Sequence, residues 1–254
     1  MTVAGKPVRA IVFDLFDTLV DLRFSRLPRA EIDGRAVPST LVEQHRAVVE
    51  RGHAIDLRVF AATLRESDRE LRRSHLDRGR EVPTTVRFSR VVDRLGIRDG
   101  ELPDVLTRAH MAAIRSVAET PSHHPEVVRA LAERYRLGLC SNFSHAATAR
   151  EILAGAGLGG LFASLTISEA VGVRKPSREI FLHVLGELEA TPADAVHVGD
   201  DLEADVRGAS ALGMRTIWVD RRVRDRERAL AAYDGPAPTW VVRDLSALGG
   251  LLSG

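Results

Sequence analysis

Short runs of apolar, often β-branched residues recur along the chain, and most end at a polar or glycine-containing turn. Such runs are typical of strands that are buried on both faces of a sheet. The predicted strands are Val8–Phe13, Leu137–Cys140, Phe162–Ile167, Ala195–Val198, Met214–Val219 and Thr239–Val242. Helical spacing of apolar residues lies between the later runs and predicts helices at Ala146–Ala154, Arg178–Leu188, Leu202–Leu212 and Arg224–Ala231.

Strands that alternate with helices in this way indicate a parallel sheet with helices on both faces. The middle of the chain differs, because it is rich in arginine and glutamate and has helical periodicity without a convincing buried strand. Its predicted helices are Leu41–Arg51, Leu57–Arg78, Thr84–Leu95 and Leu102–Ala118. Pro28, Gly34 and Pro38 predict a loop or small hairpin before them.

The predicted fold class is therefore α/β, with a Rossmann-like three-layer parallel-sheet core and an inserted α-helical domain. The core would comprise residues 1–20 and 119–254, and the insertion would comprise residues 21–118. We expect the insertion to act as a cap that closes over the ends of the strands and excludes water.

Composition excludes several classes of protein. The 36 basic and 35 acidic residues give a formal charge of +1, so there is no global electrostatic reason to bind nucleic acid or anionic membranes. Cys140 is the single cysteine, which excludes an internal disulfide and a cysteine-rich zinc site. Without a long apolar run or a signal-peptide core, we expect a cytoplasmic monomer or homodimer with a small-molecule substrate and no membrane partner.

Polar residues follow several of the predicted strands. Asp14, Ser141, Lys175, Asp200 and Asp205 all fall near strand ends, where parallel sheets bind their ligands. Each residue alone could serve only a turn or a helix cap. Their coincidence at one edge of the sheet favours a binding or catalytic site.

Lys175 is unusual in this composition. The chain has two lysines, Lys6 and Lys175, and all its other basic residues are arginines. A flat guanidinium cannot replace a compact ammonium in a narrow space between carboxylates. Because Arg174 stands next to Lys175, we interpret Lys175 as a residue that the chemistry requires rather than as a surface charge.

Four segments carry a resemblance to a known family. They are FDLFDTLV at Phe13–Val20, SN at Ser141–Asn142, RKPSREIF at Arg174–Phe181 and HVGDDLEADVRGASALGM at His197–Met214. In order and spacing they resemble the four motifs of the haloacid dehalogenase (HAD) superfamily of hydrolases. The resemblance implies a Rossmann-like core, an aspartyl nucleophile and usually Mg²⁺.

The chemistry of these residue types agrees with that implication. A carboxylate can attack phosphorus and form an acyl-phosphate that water later hydrolyses, and cations must then offset the approach of two anions. Mg²⁺ prefers oxygen ligands, which Asp14 and Asp200 could supply. The resemblance suggests the backbone carbonyl of Phe16 as a third ligand. Asp205 could ligate or orient its neighbours, and Asp201 could lie in the surrounding hydrogen-bond layer.

Substrate binding falls to residues beside the expected nucleophile, Asp14. Ser141 could hold a phosphoryl oxygen, and Lys175 could neutralise both Asp14 and the transferring group. Asn142 and the Phe16 side chain are further candidates for contact with the substrate.

Phe16 departs from the pattern of phosphatases in this superfamily, which usually place a second Asp there to protonate the leaving oxygen and then activate water. Phenylalanine can do neither. Asp17 follows, but we favour a structural role for it, because neighbouring side chains in an extended segment point to opposite sides. Glu43, His45 and His53 in the insertion are candidates for a replacement acid.

The leading hypothesis is a Mg²⁺-dependent phosphatase that acts on a small phosphate monoester. One alternative is a metal-free 2-haloacid dehalogenase, since a halide leaves without a proton and superfamily dehalogenases carry an aromatic residue at the Phe16 position. The intact carboxylate cluster at Gly199–Asp205 argues against it. A second alternative is an inactive protein that binds a phosphoryl ligand. We interpret His197 as a core histidine, and His123 and His124 as contacts at the domain junction without metal-ligand spacing.

Overall fold

The chain folds into two compact units in a computed structural model that describes residues 7–32 and 34–252. One unit comprises the chain up to Asp21 together with the chain from Thr120 onward, and the other comprises Leu22–Glu119. Each junction lies one residue after the predicted one, at the short strands where the chain leaves and re-enters the first unit. Residues 1–6, 253 and 254 of the predicted core lie outside the described residues.

The described part of the chain contains one sheet of six strands and two further pairs of strands. They are β1 (Ala10–Phe13), β2 (Asp21–Leu22), β3 (Arg29–Ile32), β4 (Arg35–Pro38), β5 (Ala118–Glu119), β6 (Arg136–Ser141), β7 (Ser164–Ile167), β8 (Ala195–Gly199), β9 (Arg215–Val219) and β10 (Trp240–Val242). The main sheet has the order β10-β9-β8-β1-β6-β7, and its neighbouring strands are parallel. This confirms the predicted α/β fold class.

The helices alternate with the strands of this sheet or form the inserted unit. They are α1 (Leu41–Glu50), α2 (Leu57–Ser74), α3 (Thr84–Arg94), α4 (Leu102–Ser116), α5 (His124–Ala132), α6 (Ala146–Gly155), α7 (Ser168–Val171), α8 (Arg178–Glu187), α9 (Gly208–Ser210), α10 (Arg226–Ala232) and α11 (Leu248–Leu251). None of the helices in the described part of the chain is long and apolar enough to cross a membrane.

One predicted helix is wrong in detail. Instead of a continuous α-helix over Leu202–Leu212, a π-helical segment, Leu202–Arg207, leads into α9. The Asp201 carbonyl accepts from both the Asp205 and the Val206 amides, at 2.9 and 3.2 Å, which widens this turn. Such local widening is frequent at functional sites.

The central strand β1 is buried on both of its faces. Ala10 and Val12 pack in a cluster with α8, and the alternate residues Ile11 and Phe13 are also fully buried on the opposite face. On the α8 side of β6, a Cβ at Gly138 would lie 2.8 Å from a methyl group of Val184. Glycine there therefore lets the helix approach the sheet closely, and this packing fixes the strand ends that carry the polar residues.

The second unit has its own apolar core. Helices α1 to α4 surround Val48, Phe60, Phe88 and Leu102, all of which are fully buried. Strands β3 and β4 pair antiparallel, so the predicted loop or hairpin is a hairpin. Helix α2 ends four residues before its predicted end, and a 3₁₀ turn over Leu76–Arg78 and Gly79 at φ 72° complete the turn.

Candidate active site

The register of the sheet brings the predicted site residues to the same edge. Phe13 pairs with Leu139 on one side and with Val198 on the other, so Asp14 emerges between the ends of β6 and β8. The Asp14 amide donates to the Val198 carbonyl at 2.8 Å, which extends the ladder into the site. Asp14 is 7% exposed, so its carboxylate is held in a largely dehydrated position.

Lys175 lies between two carboxylates. Its Nζ donates to Asp14 Oδ1 and to Asp205 Oδ1, each at 2.6 Å, and the residue is 3% exposed. Burial opposes the positive charge, but the attraction of Asp14 and Asp205 outweighs it and raises the pKa of Lys175 above its ordinary value. The ammonium is therefore permanently charged and aimed at Asp14.

Asn142 positions Lys175 through the backbone. Asn142 Oδ1 accepts from the Lys175 amide at 2.7 Å, and Asn142 Nδ2 donates to the Lys175 carbonyl at 3.0 Å. Both ends of the amide are engaged in this contact. The structure thus places Asn142 against the backbone of Lys175, and its contact with substrate stays a prediction.

Asp205 uses both carboxylate oxygens within the protein. Oδ1 accepts from Lys175 and lies 2.8 Å from His197 Nε2, while Oδ2 accepts from the Asp201 amide at 3.0 Å. Burial would raise the pKa of Asp205, but Lys175 and the bond from His197 lower it below the usual range. Asp205 is therefore an ionised anchor for Lys175, which is one of the roles predicted for it.

Asp201 serves the start of the following helix. Its Oδ1 accepts from the amides of Glu203 and Ala204, both at 2.8 Å, and the residue is exposed. These bonds are those of an N-cap. The structure gives Asp201 a capping role and does not bring its carboxylate into the convergent cluster that Asp14, Asp200 and Asp205 form.

The cluster of Asp14, Asp200 and Asp205 suits a hard divalent cation. One carboxylate oxygen from each residue lies within 4.8 Å of the other two. Burial and the neighbouring carboxylates raise the pKa of Asp200 to about 9, and burial, against the attraction of Lys175, raises that of Asp14 to about 7. When all three carboxylates are ionised, their negative charge exceeds the single positive charge of Lys175. Carboxylate oxygens are ligands that Mg²⁺ prefers.

Ser141 Oγ is buried beside these residues and has no hydrogen-bond partner among the described residues. A buried hydroxyl without a partner costs free energy, so it needs a reason. Ser141 ends β6, next to the strand that carries Asp14. The hydroxyl is therefore available to donate to an oxygen of a bound ligand.

An aromatic pair forms one wall at this edge. Phe16 and Phe143 are both half-buried, with ring centroids 4.8 Å apart and ring planes at 59°. Ser168 Oγ fixes the Phe143 backbone, since it accepts from the Phe143 amide at 2.9 Å and donates to the Phe143 carbonyl at 3.2 Å. Sequence reasoning did not identify Phe143, because an aromatic residue after a strand carries no polar signal.

Asp17 has a structural role and is not positioned as the proton donor that position 16 lacks. It has φ 60°, its amide donates to the Val20 carbonyl at 2.7 Å, and its carboxylate pairs with Arg222. This agrees with the structural role that the sequence favoured. His197, interpreted as a core histidine, is indeed buried, but it also contacts the Asp205 carboxylate, as a buried polar ring in a strand requires a partner.

Gly199 gives a first testable prediction. A Cβ at this position would overlap the carboxyl carbon of Asp205. Gly199→Ala is expected to lower the free energy of unfolding by about 1–3 kcal/mol, the usual scale of overpacking, and to lower activity because Asp205 anchors Lys175. Gly186→Ala is the matched control, since a Cβ there meets nothing within 4 Å. Denaturant unfolding that ranks the two variants equally would contradict the expectation.

The site therefore has a buried aspartate after the central strand, bonded to a lysine and flanked by further carboxylates. Residues 8–213 match the family described as haloacid dehalogenase-like hydrolase. The chain belongs to this family. The membership confirms the resemblance of the four motifs and makes the protein a HAD-like hydrolase.

Relatives by sequence include several phosphatases. The HAD-like hydrolase is 29% identical to a glyceraldehyde 3-phosphate phosphatase from Methanopyrus kandleri over 218 residues, which covers 84% of each chain. It is 32% identical to a pyrimidine 5'-nucleotidase from Escherichia coli over 171 residues, or 65% of this chain and 69% of that one. A match to a phosphoserine phosphatase from Thermus thermophilus, at 38% identity, covers 41% of this chain and 43% of the relative.

Solved structures share the fold. A 2-haloacid dehalogenase from Pseudomonas syringae superposes with a TM-score of 0.67 at 20% identity, over 97% of this chain and 98% of the other. A HAD-hydrolase from Bacillus subtilis superposes with a TM-score of 0.64 at 18% identity, over 98% and 100% of the two chains. At this level of identity the likeness concerns the fold of the HAD-like hydrolase alone.

Proposed function

We propose that this HAD-like hydrolase is a Mg²⁺-dependent phosphatase that cleaves a small phosphate monoester through an aspartyl-phosphate on Asp14. The observation that carries the proposal is the contact of the buried Lys175 with Asp14, in a cluster that also contains the half-buried Asp200. Phosphatases and a nucleotidase among the relatives support a phosphate ester as the substrate.

The chain's own residues divide the reaction between them. An oxygen of Asp14 attacks phosphorus, the bond from phosphorus to the leaving oxygen breaks, and the leaving oxygen takes the electron pair. Lys175 offsets the charge of the incoming phosphoryl group, and Ser141 Oγ donates to one of its oxygens. Water then attacks phosphorus, the bond to Asp14 breaks, and inorganic phosphate leaves.

Asp14 and Asp200 are the side chains that would hold the cation, with the Phe16 carbonyl as the further ligand that the family pattern implies. Asp205 lies in the same cluster, but its two oxygens already serve Lys175, His197 and the Asp201 amide. Bound Mg²⁺ would supply charge stabilisation to the transferring phosphoryl group. The Phe16 side chain does not impede a carbonyl ligand, because the carbonyl belongs to the backbone.

The leaving group receives no proton from the Phe16 position. Each candidate for a replacement is engaged elsewhere: Glu43 with Arg46 at 2.9 Å, His45 with the Ile55 carbonyl at 2.8 Å, and His53 with Asp99 at 3.2 Å. The proposed phosphatase is therefore selective for leaving groups that need no proton, such as phenolates. The wall of Phe16 and Phe143 also favours an aromatic leaving group, because aromatic rings pack well against one another.

The inserted unit, residues 22–119, is proposed as the cap that determines the substrate. Cap domains exclude water and complete the surroundings of the reacting group. Its separate apolar core, with Phe60 and Phe88 fully buried, gives it the stability to act as one body.

A substrate panel tests the proposed function. Aryl and alkyl phosphates and 2-chloropropionate are each offered with Mg²⁺ and with EDTA. The proposal predicts phosphate release from aryl phosphates in Mg²⁺, a large loss in EDTA and no chloride release in either condition. Absence of phosphate release across the panel in Mg²⁺ would reject it.

Phe16 is the one observation that favours a second function, 2-haloacid dehalogenation through an aspartyl ester without metal. An aromatic residue suits a halide leaving group, which needs no proton. Chloride release from 2-chloropropionate in EDTA would establish this activity, and the panel above therefore distinguishes the two functions directly.

The cation is expected to stabilise the protein in a pH-dependent way. The pKa values of Asp14 and Asp200 are raised from 3.8 to about 7 and about 9, so their deprotonation destabilises the metal-free protein progressively as pH rises through this range. Mg²⁺ binds the deprotonated forms. The rise in Tm caused by Mg²⁺ should therefore be larger at pH 8 than at pH 5.5, and small in Asp200→Asn. An equal rise at both pH values would contradict this expectation.

A further inference from the structure

A second group of metal-ligating side chains lies in the first unit, apart from the active-site carboxylates. One ring nitrogen each from His123 and His124 and a carboxylate oxygen of Asp244 lie within 4.8 Å of one another. His123 Nε2 is 2.7 Å from Asp244 Oδ1, and His124 Nε2 is 3.4 Å from Asp244 Oδ2. Imidazole nitrogen and carboxylate oxygen are ligands of Zn²⁺ and similar divalent transition metals.

The tautomer of His124 is fixed by its other ring nitrogen. Nδ1 lies 2.9 Å from the Leu19 carbonyl, which can only accept, so Nδ1 carries the proton. His124 is fully buried, and burial disfavours the doubly protonated imidazolium. His124 Nε2 therefore directs a lone pair at Asp244 Oδ2, and two acceptors face each other across 3.4 Å.

The distance of 3.4 Å between His124 Nε2 and Asp244 Oδ2 also argues against a protonated, imidazolium form of His124. A charge-assisted bond from His124 to Asp244 would be about 2.7–2.9 Å long, which is shorter than the separation found. A cation between the nitrogen and the oxygen satisfies both acceptors. A ring nitrogen that donates to a backbone carbonyl is also the usual orientation of a metal-ligating histidine.

The other two side chains give access and orientation. The side chains of His123 and Asp244 are 46% and 26% exposed, so an ion can enter from solvent. Asp244 Oδ1 also accepts from the Ser246 amide at 2.9 Å, which holds the carboxylate in place. Sequence spacing gave no sign of this group, because Asp244 lies 121 residues from His123.

We propose that His123, His124 and Asp244 bind one divalent transition-metal ion, with Zn²⁺ the best match, at a site separate from the Asp14–Asp200 cluster. Three protein ligands leave a fourth, tetrahedral position for water. The ion would link the start of α5, which carries His124, to the segment after β10, which carries Asp244. His124 in turn contacts the carbonyl of Leu19, in the segment that follows Asp14. We therefore assign it a structural role, which does not depend on the proposed phosphatase activity.

Co²⁺ is the probe, because its visible absorption reports a tetrahedral site. Metal-free protein is titrated in excess Mg²⁺, which occupies the carboxylate cluster. Wild type is expected to bind one equivalent of Co²⁺, to lose the signal when Zn²⁺ is added, and to gain Tm with Zn²⁺. His123→Ala and Asp244→Asn should weaken binding by at least about tenfold. Asn at position 244 can still accept from the Ser246 amide, and His123 is exposed, so both variants should fold.

Two controls make the outcome specific. Asp200→Asn removes a carboxylate from the other cluster, and His183→Ala removes a half-exposed histidine of α8; both should bind Co²⁺ like wild type. Equal binding by wild type, His123→Ala and Asp244→Asn would overturn the proposal. So would a signal that is lost in Asp200→Asn and kept in Asp244→Asn, which would assign the ion to the carboxylate cluster.

Discussion

Phe16→Asp is expected to raise kcat for alkyl phosphates on the order of 10²-fold, because a positioned proton donor is typically worth about 10²–10⁴-fold. Alkyl alkoxides are poor leaving groups, and the wild-type chain offers them no donor at this position. Aryl phosphates, whose phenolates leave readily, should gain much less. Steady-state kcat values for one alkyl and one aryl phosphate, measured in Mg²⁺, give the comparison.

Phe16→Asn is the matched control for this gain. Asparagine has nearly the size and polarity of aspartate, but it cannot donate and recover a proton in the same way. It also breaks the contact between Phe16 and Phe143, so it reports the cost of losing the aromatic wall. An unchanged or lower rate on alkyl phosphates in Phe16→Asp, or an equal gain in Phe16→Asn, would contradict the account of the missing acid.

Asp14→Asn is expected to abolish turnover. Removal of a covalent nucleophile in other hydrolases costs on the order of 10⁴- to 10⁶-fold in kcat. The amide is close to the carboxylate in size, so the bonds that hold β1 and its neighbours should remain. Asp17→Asn is the control in the same segment. Asparagine tolerates the φ of 60° found at Asp17, and the Asp17 carboxylate pairs with Arg222 rather than with Lys175.

Comparison of these two variants distinguishes the loss of the nucleophile from the loss of one negative charge as the cause of reduced turnover. Asp17→Asn removes one negative charge near the site and should keep turnover within a few-fold of wild type. Activity in Asp14→Asn comparable to that in Asp17→Asn would remove Asp14 from the mechanism. Thermal melts of both variants show whether a loss of activity has a trivial cause in unfolding.

The fold was accessible from sequence because its signals are local and repeated. Apolar runs placed every strand of the main sheet to within two residues, and β1 starts at Ala10 rather than Val8. The order of the strands was not accessible, since nothing local states which strand lies beside which. The π-helical segment at Leu202–Arg207 was missed, because its widened turn depends on two amides that share the Asp201 carbonyl.

The site was predictable where a residue type is chemically unusual. Lys175 is conspicuous against a background of arginine, and the structure shows its ammonium 2.6 Å from both Asp14 and Asp205. This position suits a compact point charge with several donors. Residues that act through tertiary contacts carried no such signal. Phe143 and Asp244 were overlooked for this reason, since their partners are distant in the chain.

A phosphoryl group on Asp14 is the intermediate on which the proposed reaction depends. Because the Phe16 position also lacks the base that would activate water, breakdown of the aspartyl-phosphate should be slow when an aryl phosphate is the substrate, and the adduct should accumulate. Turnover in Mg²⁺ is stopped with acid, the protein is digested, and the mass of the peptide that contains Asp14 is measured by mass spectrometry. We predict a phosphoryl adduct on Asp14 that disappears when substrate is exhausted. A peptide that stays unmodified at every quench time while phosphate accumulates, or an adduct on another residue, would contradict the account.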